Sequence, residues 1–134
     1  MTGVQTCALP IYYNVFDPKK DPAIAKKLTG DVSSYKKANK QALQKETGLE
    51  EDTDKFLLGM VSRLTDQKGF DLVDYMMDEI LGDERIQIVV LGTGEQRYED
   101  MFRYFAQKYP GRVSANICYS GSLHTVSMQA VMHF

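Results

Sequence analysis

Two short apolar segments, each followed by a longer segment with helical periodicity, constrain the fold of this chain most strongly. Residues 56–61 and 86–91 are mostly aliphatic or aromatic, a pattern typical of strands buried on both faces of a parallel sheet. Residues 70–82 and 95–109 carry apolar side chains at helical spacing, and residues 112–118 alternate as a third strand does. This order of strands and helices predicts an α/β fold in which right-handed crossovers connect parallel strands.

The apolar stripes of these two helices are predicted to form most of the core. They comprise Leu72, Val73, Met76, Met77, Ile80 and Leu81 in the first helix and Tyr98, Met101, Phe102, Phe105 and Tyr109 in the second. A further helix is predicted over residues 33–47 and is ended by Gly48. We interpret the lysines of that helix as a solvated face: Lys36, Lys37, Lys40 and Lys45.

Composition places the chain among single-domain globular proteins. It has 134 residues, 43% hydrophobic content, 25% charged residues and a formal net charge of −2. These values exclude collagenous, coiled-coil and wholly disordered classes and argue against a nucleic-acid partner. No apolar run approaches the roughly 20 residues that span a bilayer, so no membrane partner is expected. Cys7 and Cys118 form no disulfide framework and no signal peptide is visible, so we expect a reducing, cytoplasmic compartment.

Two cations stand between the first predicted strand and the helix that follows it. Arg63 comes just after the strand and Lys68 just before the helix, at the sheet edge where open α/β folds bind ligands. An arginine fork, a lysine point charge and the free N–H groups of a helix N-terminus together predict a site for a phosphate-type anion. The alternative is a solvated loop with ion pairs to Asp66 or Asp71.

Weaker candidates follow the next two strands. Gly92 and Gly94 lie between the second strand and its helix, where glycines let a ligand approach the backbone, although an ordinary tight turn is the alternative. Tyr119 follows the third strand, where an aromatic ring can stack on a nucleobase. His124 and His133 have no metal-ligand spacing, and the sequence contains no catalytic triad or paired-carboxylate pattern, so neither a metal nor a cofactor is predicted.

Several of these segments resemble the family of bacterial glycogen synthases and plant starch synthases. The most specific match is Val-Ser-Arg-Leu-Thr-Asp-Gln-Lys-Gly at residues 61–69. The sequence Leu-Gly-Thr-Gly-Glu at residues 91–95 is similar to a second family segment. Further similar segments are residues 13–18, 37–40, 43–44 and 110–113, together with Tyr119.

The resemblance covers most of the chain and divides it into four parts. Residues 12–54 are expected to form an interdomain lead-in and helix, and residues 55–120 the first half of a Rossmann-like nucleotide-sugar-binding domain. Residues 1–11 resemble a translated sequencing adapter and are expected to be non-native. Residues 123–134 can be encoded by the nucleotide string of the family's next segment read one base later, so residues 121–134 are expected to be a frameshifted tail.

The resemblance implies an enzyme that transfers glucose from ADP-glucose to the non-reducing end of an α-1,4-glucan with retention, in a two-domain GT-B fold. Arg63 and Lys68 would be the catalytic residues that bind the diphosphate, and Gly92, Gly94 and Tyr119 would complete the ADP-glucose site. The family's N-terminal catalytic domain has no counterpart in this sequence, so the chain by itself is expected to be inactive. Another GT-B nucleotide-sugar glycosyltransferase and a non-enzymic nucleotide- or anion-binding domain remain open as alternatives.

Overall fold

The computed structural model describes residues 17–118 of the chain. These residues form helices and strands in the predicted alternating order, with a 3₁₀ turn at Asp66–Lys68. The regular elements are α1 (Val32–Thr47), β1 (Phe56–Val61), α2 (Phe70–Ile80), β2 (Ile86–Leu91), α3 (Gln96–Lys108) and β3 (Val113–Asn116). The segments 1–11 and 121–134 lie outside the described residues, so their non-native origin stays a prediction.

The strands form a parallel sheet in the order β1-β2-β3, with β2 in the centre. Every residue of β2 after Ile86 is buried, because a strand pairs along each of its edges and helices cover both faces. Helices α2 and α3 are the crossovers that parallel neighbours require. The predicted α/β class with a Rossmann-like parallel sheet is confirmed.

Strand β1 is less buried than its apolar sequence predicts. Residues 56–61 suggested burial on both faces, but only Leu57 is buried and Gly59 is exposed. The reason is topological, because within the described chain β1 pairs with β2 along one edge only. An apolar run indicates a strand, but it does not reveal whether that strand lies at an edge of its sheet.

The two faces of the sheet carry separate hydrophobic clusters, which makes the fold a three-layer α/β/α arrangement. Ile88 and Val90 of β2 belong to the larger cluster, which also contains residues of α2 and α3. Val89 and Leu91 belong to the smaller cluster on the opposite face, together with Leu43 of α1. Alternate side chains of β2 therefore pack against the helices on opposite faces of the sheet, because successive side chains of a strand point to opposite faces.

The apolar stripe predicted for α3 is confirmed. Its buried members are Tyr98, Phe102 and Phe105, and Met101 and Tyr109 pack against the same cluster. The ring of Phe102 also contacts that of Phe70 at the start of α2, with the ring centroids 5.5 Å apart and the ring planes at 89°. This edge-to-face contact orients α2 against α3.

The stripe predicted for α2 is partly wrong. Met77 and Leu81 are buried, but Leu72 is 67% exposed and Met76 is 45% exposed, next to Tyr75 at 88%. Phe70 and Met77 define the face of α2 that meets the core. Because each residue of a helix is rotated by about 100° from the one before it, positions 72 and 76 fall away from that face. A stripe drawn only from apolar positions was therefore too wide.

The lysines of α1 are not all solvated, contrary to the sequence interpretation. Lys37 and Lys45 are exposed, but the Nζ atom of Lys40 donates to the carbonyl oxygen of Thr53 at 2.9 Å and to that of Lys55. Burial lowers the pKa of Lys40, while the neighbouring carboxylates oppose that shift. Lys40 therefore ties the connector before β1 to α1.

A buried pair of amide side chains, Gln44 of α1 and Gln87 of β2, joins the sheet to the surrounding loops. Both side chains are fully buried, and Gln44 Nε2 donates to Gln87 Oε1 at 2.6 Å. Gln87 Nε2 donates to the carbonyl oxygens of Glu50 at 2.8 Å and Gly111 at 3.3 Å, and Gln44 Nε2 donates to that of Asp52 at 2.9 Å. The pair thus holds the segments that enter β1 and β3.

Replacing Gln87 with alanine is expected to lower the free energy of unfolding by about 2–4 kcal/mol. The change leaves a cavity in β2 and removes the acceptor of Gln44 and the donor to Glu50. Gln41→Ala, at an exposed position of α1, is the control and should change stability by no more than about 0.5 kcal/mol. Urea unfolding followed by circular dichroism measures both variants, and equal midpoints would contradict this role of Gln87.

Candidate functional site

The carboxyl ends of the parallel strands lie at one edge of the sheet, and two loops meet there. We name them the basic loop (residues 62–69, after β1) and the glycine loop (residues 92–95, after β2). The backbone N–H of Leu64 donates to the carbonyl oxygen of Thr93 at 3.0 Å, and the N–H of Glu95 donates to that of Leu64 at 2.8 Å. Leu64 and Gly94 form a parallel bridge beyond the strands. The two loops therefore form one connected surface.

The glycines of the glycine loop are required by the basic loop. A Cβ atom on Gly92 would lie 1.9 Å from the carbonyl oxygen of Ser62, and one on Gly94 would lie 2.2 Å from that of Leu64. No side chain fits at such distances, so close approach of the two loops is sufficient reason for both glycines. Their contact with a ligand stays a prediction.

The side chain of Arg63 is exposed and makes no hydrogen bond or ion pair with any residue in the range 17–118. The other arginines of that range bind a carboxylate or a backbone carbonyl: Arg85, Arg97, Arg103 and Arg112. Arg63 forms no ion pair with Asp66 or Asp71, so the ion pairs of the solvated-loop alternative are not observed for this arginine. The Asp66 carboxylate instead accepts the backbone N–H of Gln67 at 2.8 Å. A guanidinium without a partner keeps its donors available for an oxyanion.

Lys68 is placed directly ahead of a helix N-terminus. It is the last residue of the 3₁₀ turn, it is exposed, and its side chain contacts no acceptor among the described residues. Gly69 follows with φ +72° and caps α2 without any side-chain hydrogen bond. The first N–H groups of this 11-residue helix therefore add to the positive potential of Lys68 and Arg63. This loop has the composition of an anion site.

Two carboxylates that the sequence analysis missed organise the same edge. Glu95 Oε1 accepts the backbone N–H of Asp66 at 3.2 Å, and Glu99 Oε1 accepts that of Gly94 at 3.0 Å. Both carboxylates are also paired with arginines, at 3.1 Å for Glu95 and 3.2 Å for Glu99. Acidic residues around the start of α3 were the available signal, because carboxylates there commonly bind free backbone N–H groups.

Tyr98 lies in the core next to this surface and contacts residues of α2 and α3. Its side chain is buried, its ring lies 5.6 Å from that of Phe70, and the Arg97 guanidinium stacks over it at 4.4 Å. Burial raises the pKa of the Tyr98 hydroxyl and Arg97 opposes the shift. The ring is therefore a neutral platform on which Arg97 rests.

The remaining site predictions concern an aromatic residue and metal ligands. Tyr119, His124 and His133 fall outside the described residues, so the predicted stacking of Tyr119 on a nucleobase stays a prediction. Among residues 17–118 no group of three or more histidine, cysteine, aspartate or glutamate side chains is placed to hold a metal ion. In the same range no helix has the length and apolar character needed to cross a bilayer.

A second basic surface lies near the amino end of β1, at the opposite end of the strands from the basic loop. Lys36, Lys37 and Lys40 line a cleft of about 510 Å³ between α1 and the start of β1. Lys40 already binds backbone carbonyls there, and Lys55 on the same cleft pairs with Glu50. Because Lys40 and Lys55 stabilise the fold, the basic loop is the better candidate for a functional site.

Sequence comparison relates the chain to bacterial glycogen synthases. It is 53% identical over 111 residues to the glycogen synthase of Lachnospira eligens, a match that covers 82% of this chain and 23% of that protein. The glycogen synthase of Lactococcus lactis is 47% identical over 109 residues, covering 81% of this chain and 23% of the relative. The chain belongs to the glycogen synthase family. It spans about a quarter of the length of the relatives that it matches.

Structural comparison agrees with this family at the level of the fold. The chain matches the catalytic domain of starch synthase IV from Arabidopsis thaliana, solved bound to ADP and acarbose, with a TM-score of 0.75. The match has 24% sequence identity and covers 89% of this chain and 25% of that one. The sheet thus corresponds to part of a GT-B catalytic domain, as the family resemblance predicts. No family model matches the chain.

Gly94→Ala is expected to lower the free energy of unfolding by about 1–3 kcal/mol, because the added methyl forces the basic loop away from the glycine loop. Thr93→Ala is the matched control, since the Thr93 side chain is exposed and only its carbonyl oxygen holds Leu64. Thermal unfolding measures the difference. If the two variants unfold at the same temperature, the loops are not held together as described.

Proposed function

We propose that this chain is a segment of an enzyme that transfers glucose from ADP-glucose to the non-reducing end of an α-1,4-glucan with retention of configuration. The observation that carries the proposal is the exposed pair Arg63 and Lys68, whose side chains have no partner in the described chain, beside the N-terminus of α2. The starch synthase relative of known structure was solved with ADP and acarbose, which supports the same donor and a glucan acceptor. A cytoplasmic location fits such a substrate pair.

The chemistry needs positive charge where Arg63 and Lys68 lie. When the bond between the sugar C1 and the diphosphate oxygen breaks, negative charge grows on the leaving ADP. Cations fixed in place before the reaction stabilise that charge more strongly in the transition state than in the ground state. Arg63 offers a planar fork for two phosphate oxygens, and Lys68 supplies a movable point charge.

The rest of the nucleotide-sugar site is also part of the proposal. We infer that the backbone at Gly92 and Gly94 lies against the donor, and that Tyr119 stacks near the adenine. The close approach of the two loops supports the first inference, because it brings the glycine loop next to the loop that carries Arg63. Neither the backbone contact of the two glycines nor the stacking of Tyr119 needs a metal or a cofactor.

The proposal is tested in a chimera, because the relatives are about four times as long as the matched segment. Residues 17–118 replace the matching segment of the Lachnospira eligens glycogen synthase, and glucose incorporation into glycogen is measured. Arg63→Ala and Lys68→Ala are each expected to reduce turnover by about 10²–10³ with little change in the KM for glucan. Arg63→Lys should recover only part of the loss, because the planar fork is missing.

Lys37→Ala is the matched control, because Lys37 is an exposed lysine of α1 remote from the basic loop. It should leave turnover within about twofold of the unchanged chimera. Near-normal turnover of the Arg63 and Lys68 variants would contradict the anion site. Preference for UDP- or GDP-glucose over ADP-glucose would favour a different nucleotide-sugar transferase, and nucleotide binding without any transfer would favour a non-enzymic domain.

A further inference from the structure

Glu95 holds the basic loop at two points. Its backbone N–H donates to the carbonyl oxygen of Leu64 at 2.8 Å, and its side-chain Oε1 accepts the N–H of Asp66 at 3.2 Å. The first contact would survive any substitution that keeps the backbone N–H, but the second depends on an oxygen acceptor in this side chain.

The N–H of Asp66 lies at the base of the turn that carries Lys68. Asp66 is the first residue of the 3₁₀ turn, and its carbonyl oxygen accepts the N–H of Gly69 at 3.0 Å. The N–H of Lys68 donates to the carbonyl oxygen of Thr65 at 3.1 Å. Movement of Asp66 would therefore displace both Lys68 and the start of α2.

The Glu95 carboxylate is itself oriented from the core. Arg97 Nε donates to Glu95 Oε2 at 3.1 Å, and the Arg97 guanidinium stacks on the ring of Tyr98. Tyr98 is buried against Phe70 at the beginning of α2. A continuous set of contacts therefore runs from the core to the backbone that carries Lys68.

A carboxylate next to an anion site is unfavourable if charge alone matters, because it repels the anion and attracts the same cations. Here the Glu95 carboxylate makes no hydrogen bond or ion pair with Arg63 or Lys68, and its two oxygens are taken up by Asp66 N–H and Arg97. We propose that Glu95 is a positioning residue, which fixes the turn bearing Lys68 so that its ammonium group is preorganised for a diphosphate. The proposal rests on the anion site of the proposed function.

The test uses two variants that remove the same charge. Pyrophosphate is titrated by calorimetry into the 134-residue chain and into Glu95→Ala and Glu95→Gln. Glu95→Ala loses the acceptor of the Asp66 N–H and should bind about five- to tenfold more weakly. Glu95→Gln keeps an oxygen acceptor and loses the repulsive charge, so it should bind as tightly as the unchanged chain or more tightly.

Asp71→Asn is the control for charge alone, because Asp71 lies in the first turn of α2 and its side chain forms no hydrogen bond with other described residues. It should bind pyrophosphate as tightly as the unchanged chain or more tightly. Hydrogen exchange of the Asp66 amide gives a second measurement: its protection should be lost in Glu95→Ala and kept in Glu95→Gln.

The failure of this inference is distinguishable from the failure of the proposed function. If pyrophosphate binds and Arg63→Ala abolishes binding, the anion site stands, and equal affinities of Glu95→Ala and Glu95→Gln then overturn the role of Glu95. If the unchanged chain does not bind pyrophosphate, or if Arg63→Ala binds it normally, the anion site itself is contradicted and the role of Glu95 with it.

Discussion

Parallel pairing of β2 with a strand along each edge is the constraint on which the rest of the structure depends. This pairing buries β2, and its side chains pack against the helices on the two faces of the sheet. Ile88 and Val90 belong to the cluster on one face, and Val89 and Leu91 belong to the cluster on the other. Because all strands run in the same direction, their carboxyl ends lie together. The basic loop and the glycine loop follow from that topology, and the candidate site is a consequence of strand direction before any side chain is considered.

The two loops are joined by backbone hydrogen bonds and by the Glu95 carboxylate, none of which involves the side chains of Arg63 and Lys68. If Glu95 or Glu99 paired with Arg63 or Lys68, the positive potential of this edge would be reduced. Both carboxylates instead bind backbone N–H groups and the arginines of α3. Glu95 and Glu99 are thereby paired with arginines of α3, while Arg63 and Lys68 keep no ion-pair partner among the described residues.

Strand positions were predictable from the sequence because a continuous apolar run of about six residues between helical stripes is too short for a core helix and suits a buried strand. The bounds of β1 and β2 match the prediction residue for residue. The backbone contacts of Lys40 and the hydrogen bond between the Glu95 side chain and the N–H of Asp66 were not predictable, because each depends on a segment distant along the chain. Gly94 is an example of a contact that the sequence does not reveal. The glycine suggested a tight turn or a ligand contact, whereas the structure places it against Leu64, thirty residues earlier in the sequence.

The opposite edges of the sheet use polar groups for different purposes. At the amino ends, Gln44 and Gln87 bind each other and the loops that enter β1 and β3, and Lys40 binds the connector before β1. The donors of these groups are used inside the fold, so substituting them acts on stability. At the carboxyl ends, the side-chain donors of Arg63 and Lys68 have no such partners in the described chain. Hydrogen-bond donors that are used within the fold at the amino ends of the strands make the scaffold rigid. Donors that folding leaves available at the carboxyl ends are the ones that an anion could bind, because binding strength depends on donors without a partner in the protein.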